Sequence, residues 1–114
     1  MSKSGYVPAR GDVAWLDFDP QAGHEQAGRR PAFVLSPATY NSKTGLMLCC
    51  PITSQVKGYP FEVAVTGSAK IRGVILADQV KSLDWQVRRA ELQGKVTKAV
   101  LAEVVEKIRA ILEG

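Results

Sequence analysis

Short apolar runs, each closed by turn-forming residues, dominate most of the chain. Residues 11–18 hold Val13, Trp15 and Phe18, and residues 32–36 and 46–53 are compact apolar stretches. In 61–65 the large apolar residues Phe61, Val63 and Val65 recur at every second position, which puts them on one face of a strand. Runs at 73–77, 80–83 and 91–96 complete the set. Between them stand Pro8 with Gly11, Asp19-Pro20, Gly23, Gly28, a turn from Asn41 to Gly45, Gly58-Tyr59-Pro60, Gly67 and Gly73. Many short strands with close turns predict a barrel or rolled antiparallel sheet.

The end of the chain changes period. After Thr97, which reads as an N-cap, Val100, Leu101, Val104, Ile108, Ile111 and Leu112 form one stripe at helical spacing. That stripe predicts a helix packed on the sheet. Glu103 and Lys107 lie four apart in the stabilising order, and Gly114 follows the helix end. The polar face is charge-balanced, unlike that of a membrane-surface helix.

Length and composition narrow the class. A chain of 114 residues is one domain's worth, so residues 1–114 are expected to form a single domain. With 46% hydrophobic and 23% charged residues, wholesale disorder is excluded. No window approaches the ~18 uncharged apolar residues of a spanning helix. The opening Met-Ser-Lys-Ser-Gly-Tyr-Val-Pro lacks the apolar run of a signal peptide, so a cytoplasmic address is expected. Cys49 and Cys50 are adjacent and would point to opposite faces of a strand, badly placed to bridge each other. One histidine, His24, and no C-x-x-C leave no zinc cluster of the usual spacing. Both thiols are read as buried packing.

The charge points outward. Lys plus Arg is 15 and Asp plus Glu is 11, a net +4. Residues 1–90 hold 11 basic and 7 acidic side chains and 91–114 hold 4 of each, so the whole excess precedes the helical segment. A pI near 9.3 fits a polyanionic partner, either nucleic acid or an acidic protein.

Three segments could carry chemistry. The first is Gly23-His24-Glu25-Gln26-Ala27-Gly28-Arg29-Arg30-Pro31, a loop dense in polar groups between two glycines. Arg30 precedes Pro31, which biases it to an extended backbone, where its planar fork can meet a phosphate. Arg29 is a solvated neighbour or a second phosphate contact. The second is Cys49-Cys50-Pro51-Ile52-Thr53-Ser54-Gln55, where an apolar strand ends in small polar residues. Thr53 and Ser54 can each donate to a phosphate oxygen or a base edge, or merely terminate the strand. The third is Ala77-Asp78-Gln79-Val80-Lys81. A carboxylate between apolar runs needs a partner, so Asp78 is read as an arginine ion pair, a backbone cap or a catalytic group. Trp15 and Trp85 read as core. Tyr59 and Phe61, flanking Pro60 beside Lys57, are the candidates to stack on single-stranded RNA.

Taken together, these residues resemble the MazF/PemK/Kid family of toxin endoribonucleases. The resemblance rests on the stretch from Arg10 through Trp15 to Asp19-Pro20, on Gly23-His24-Glu25-Gln26-Ala27-Gly28-Arg29-Arg30-Pro31, and on Pro51-Ile52-Thr53-Ser54-Gln55. Gly58-Tyr59-Pro60-Phe61-Glu62 and Ala77-Asp78-Gln79-Val80-Lys81-Ser82 follow in the same order. Five motifs in order span nearly the whole chain.

The family implies a mainly β fold, an SH3-like rolled antiparallel β-barrel of the PemK/CcdB kind with a C-terminal α-helix. It implies a homodimer that cuts single-stranded RNA sequence-specifically, without metal or other cofactor, leaving 2′,3′-cyclic phosphate and 5′-hydroxyl ends. An acidic, MazE-like antitoxin neutralises such a toxin by covering its RNA groove. Family catalytic positions transfer to Arg30 and Thr53. One branch also uses the positions of His24 and Asp78, but its arginine two residues before the aspartate is Leu76 here. The general base is left among His24, Glu25 and Asp78. Arg29, Ser54, Gln55, Lys57, Tyr59, Phe61 and Gln79 are the expected RNA contacts. The competing readings are a gyrase poison of the CcdB kind and a barrel that binds RNA without cutting it. The chain end, Ile111-Leu112-Glu113-Gly114, lacks the terminal tryptophan pattern of the gyrase inhibitors.

Overall fold

The computed structural model describes residues 5–18, 28–66 and 70–114. Seven strands and two helices occupy them: β1 (Asp12–Asp17), β2 (Arg29–Val34), α1 (Ala38–Thr44), β3 (Leu46–Thr53), β4 (Glu62–Ala64), β5 (Val74–Leu76), β6 (Lys81–Asp84), β7 (Glu91–Lys95) and α2 (Lys98–Glu113). Every strand pair is antiparallel. The order is β4-β5-β3-β2-β1-β7, with β6 also on β3. β3 is long enough to change partners. Leu46 to Cys49 pair with β6, whereas Ile52 and Thr53 pair with β5. That hand-over rolls the sheet, and no ladder joins β4 to β7 among the described residues, so the roll stays open.

Strand alternation builds two cores. Val13, Phe33, Cys50, Ile52, Val63 and Ile75 face one cluster, which Val100 and Val104 of α2 cover. Ala14, Leu16, Ala32, Val34, Met47 and Cys49 face the other, with Leu83 and Trp85. The adjacent cysteines therefore sit in different clusters, both free. Burial pushes each thiol up to about 12.

α2 begins as expected. Thr97 is the N-cap, and its side chain accepts the Val100 N–H at 3.2 Å. Two details of the helix depart from the sequence reading. Ile111 and Leu112, at the end of the stripe, are 47% and 79% exposed. The Glu103–Lys107 pairing gives way to a longer-range contact, since Lys107 Nζ donates to the Pro60 carbonyl at 2.7 Å.

The stretch read as a turn from Asn41 to Gly45 belongs instead to α1 and its C-cap. No apolar period marks a helix this short. Its anchor is Asn41, fully buried, whose Nδ2 donates to the carbonyls of Pro8 at 2.7 Å and Ser36 at 3.0 Å. Asn41 Oδ1 accepts from Ser36 Oγ at 2.6 Å, and its backbone carbonyl accepts the Trp85 indole N–H at 2.9 Å. Trp85 is thus core, as read, whereas Trp15 is only half-buried. β2 starts at Arg29 rather than at residue 32, because β1 pairs with it back to Asp17↔Arg29. Among the described residues no helix is long and apolar enough to cross a membrane.

Candidate functional site

Arg30 and Thr53 are brought together by register. β2 and β3 pair Ala32↔Pro51, Phe33↔Cys50 and Val34↔Cys49. Carried on two residues, the same register sets Arg30 opposite Thr53. Opposed residues of an antiparallel pair share a face. That face carries Ala32 and Cys49 of the second cluster, so the two polar residues stand where its apolar packing ends. Arg30 is exposed and, among the described residues, its guanidinium has no hydrogen-bond or ion-pair partner. Thr53 Oγ1 accepts the Gln55 N–H at 3.1 Å, which leaves the hydroxyl hydrogen free to donate outward.

Thr53 also opens a groove of about 290 Å³, lined by Thr53, Gln55, Lys57, Tyr59, Phe61, Glu62, Leu76, Asp78 and Gln79. One bank is the segment 54–61 between β3 and β4. The other is the turn after β5. Seven residues singled out from the sequence thus share one cavity: Thr53, Gln55, Lys57, Tyr59, Phe61, Asp78 and Gln79. Tyr59 and Phe61 are 57% and 37% exposed, so their rings are available for stacking. Asp78 is exposed and has no ion pair or hydrogen bond among the described residues, so the burial that would have demanded a partner is absent. Arg30 and Ser54 are exposed outside the lining. His24 and Glu25 lie outside the described residues.

Arg29 has a different environment from its neighbour. Nη1 donates to Asp17 Oδ1 at 3.2 Å and to the carbonyls of Arg88 and Arg89 at 3.4 and 3.2 Å. Nη2 donates to the Trp15 carbonyl at 3.4 Å and pairs with Glu91 at 3.5 Å. Arg89 Nε reaches Asp17 Oδ2 at 3.0 Å. Arg88 donates to the carbonyls of Asp17 and Phe18. The hydrogen bond from Arg89 and then that from Arg29 hold the Asp17 carboxyl below the usual carboxylate range, against partial burial. Alternation explains the contrast: consecutive residues of β2 point to opposite faces.

Residues 9–112 match the family of PemK-like, MazF-like toxins of type II toxin-antitoxin systems. The chain belongs to that family. It is 53% identical over 109 residues to the endoribonuclease toxin MazF of Escherichia coli K12, covering 96% of this chain and 97% of that one. The crystal structure of MazF from Deinococcus radiodurans aligns with a TM-score of 0.85 at 56% identity, over 96% of this chain and 99% of that one. A MazE-MazF structure from the same organism aligns at 0.84 and 50% identity, over 95% and 97% of the two chains.

In this MazF-like chain two further residues shape the site. Glu62 closes the 54–61 bank and was visible only as the last letter of a motif. Gly73 reads from sequence only as a turn residue. Its φ is +124°, and a Cβ there would stand 2.3 Å from the Thr53 carbonyl oxygen. Glycine at 73 is therefore what lets β5 approach the backbone of Thr53. No local pattern announces such a close approach.

Proposed function

We propose that this chain is an endoribonuclease toxin that cuts single-stranded RNA at particular sequences, without a metal ion or other cofactor. The observation that carries the reading is the Arg30 fork, without a hydrogen-bond or ion-pair partner among the described residues, on the face it shares with Thr53, beside a groove holding two exposed aromatic rings and two amide side chains. The family's named endoribonucleases support it.

The nucleophile belongs to the substrate. The RNA 2′-oxygen bonds to the neighbouring phosphorus and the bond to the 5′-oxygen breaks, giving a 2′,3′-cyclic phosphate and a 5′-hydroxyl. The protein orients the reactants, takes one proton, returns one and stabilises charge. The Arg30 guanidinium faces the charge that grows on the pentavalent phosphorus. Thr53 donates its free hydroxyl hydrogen to a non-bridging oxygen. The base comes from His24, Glu25 or Asp78. Lys57, Tyr59, Phe61, Gln55, Ser54 and Gln79 hold the flanking nucleotides. The basic excess suits the RNA backbone, and two chains at +4 give a homodimer of +8. An acidic antitoxin segment, folding as it binds, covers the same groove. The working compartment is the cytoplasm.

Incubation of the purified protein with long RNA in EDTA tests the reading. Discrete fragments ending in cyclic phosphate are expected, and saturation with the antitoxin segment abolishes them, less effectively as salt rises. Intact RNA with inhibited gyrase would move the chain to the non-catalytic class.

A further inference from the structure

The bank of the groove formed by residues 54–61 is an irregular, solvent-exposed segment, and such a segment ordinarily samples many conformations. Here it is pinned from three sides. Glu62 reaches back across it with both carboxylate oxygens: Oε2 accepts the Lys57 N–H at 3.0 Å and Oε1 the Gly58 N–H at 2.9 Å. One carboxylate thereby grips two successive amides, an arrangement that ionisation strengthens. The grip needs the backbone to bend, and Gly58 supplies φ +83°. The second pin comes from α2, where Lys107 Nζ donates to the Pro60 carbonyl at 2.7 Å. The third closes the segment, where the Ala77 N–H donates to the Phe61 carbonyl at 3.1 Å and joins this bank to the Asp78 bank.

The pinned residues are the ones that matter for a ligand. Lys57, Tyr59 and Phe61 all line the groove, and each is fixed in the backbone at its own position or beside it. With both oxygens engaged on amides, the Glu62 carboxylate leaves the Lys57 ammonium without an ion-pair partner among the described residues. Arg30 and Thr53 stand on other strands, β2 and β3, outside the pinned segment.

From this geometry we infer that Glu62 and Lys107 are positioning residues that set the shape of the 54–61 bank and thereby govern how tightly, and at which nucleotide sequence, the RNA is held. The inference rests on the ribonuclease reading for its substrate. Loosening the bank lowers the fraction of molecules ready to bind, so KM rises while the phosphoryl-transfer groups stay in place.

Glu62→Gln and Lys107→Met are compared with wild type on a short single-stranded RNA with one cut site, and on a mixed RNA pool whose cut ends are sequenced. Glu62→Gln keeps at most one neutral acceptor in place of a charged pair of bonds, and KM is expected to rise roughly tenfold. Lys107→Met keeps the stem of the side chain and should raise KM by a few-fold. In both, kcat changes less than KM and the set of cut sequences broadens. Wild-type KM and wild-type cut sites in both variants overturn the inference, as does a fall in kcat at unchanged KM. Should Glu62→Gln fail to fold, Lys107→Met, which removes only the α2 bond to the Pro60 carbonyl, decides alone. If wild-type protein leaves the RNA uncut, the ribonuclease reading falls. The pins are then judged by fluorescence anisotropy of the same RNA, where equal affinity for all three proteins overturns them and weaker binding by the variants sustains them.

Discussion

Arg29 and Arg30 are consecutive, alike in chemistry and opposite in what their removal should do. Replacing Arg29 with Ala deletes the hydrogen bonds to Asp17 and to the Arg89 carbonyl, both at 3.2 Å, two longer ones to carbonyls at 3.4 Å and the ion pair to the exposed Glu91. Stranding a buried charge would cost about 3–5 kcal/mol. Asp17 is not stranded, because Arg89 still reaches it at 3.0 Å. The carbonyls lie near enough to the surface for water to replace the guanidinium. The Glu91 pair is solvent-exposed and contributes about 0–1 kcal/mol. What remains is one charge-assisted bond with weak carbonyl support, about 2 kcal/mol. For a domain of this size that lowers Tm by roughly 10 °C. Arg30→Ala deletes no hydrogen bond or ion pair among the described residues, so Tm should stay within about 1 °C. Its effect should fall on cleavage, with a loss of roughly 10²–10³ in rate as for a removed charge-stabilising group.

Thermal melts by circular dichroism and single-turnover cleavage of one RNA read both quantities for both variants. The Asp17 pairing also fixes a pH dependence. Its carboxyl is depressed in the folded state, so the stabilisation is complete above the unfolded value of about 3.9 and fades as pH falls through the lower folded value. The Tm gap between wild type and Arg29→Ala should therefore be widest near neutrality and narrow in strong acid. A folded Arg30→Ala protein that cuts at the wild-type rate would falsify the assignment of the site, and an Arg29→Ala protein as stable as wild type would remove the network from the stability of the fold.

Thr53→Val keeps the shape and deletes the hydroxyl, and should slow cleavage by less than Arg30→Ala does, with a cooperative melt as the control that it is folded. Gly73→Ala places a methyl 2.3 Å from the Thr53 carbonyl at a φ that L-residues avoid, and should lose both about 2 kcal/mol or more of stability and much of the cleavage rate; normal activity would show that β5 can retreat. Cys49 and Cys50, buried with thiols raised to about 12, should resist a thiol reagent in the native protein at pH 8 and react fully in denaturant; rapid native labelling of either would contradict the packing. If His24 is the base, the wild-type pH–rate profile should bend near 6.5 and His24→Ala should lose the bend.

The sequence by itself determined whatever depends on local period and local chemistry. Alternation at 61–65, the 46–53 run and the stripe after Thr97 became β4, β3 and α2, because facing a core requires those spacings. The opposed fates of Cys49 and Cys50 followed from alternation alone. Most of the groove lining could also be named, since exposed aromatic, amide and small hydroxyl residues stood in loop and strand-end positions. Only tertiary structure could decide the rest. α1 exists because Asn41 is buried among the carbonyls of Pro8 and Ser36 and beneath the Trp85 indole, partners remote in sequence or invisible to a helical period. Which of two adjacent arginines is engaged depended on Asp17, Arg88, Arg89 and Glu91 converging on one face of β2. Lys107 has Glu103 four residues away and bonds instead to Pro60, which the fold brings beside it. A residue's period records the face it presents, whereas its hydrogen-bond partners are set by which distant backbone the packing carries to that face.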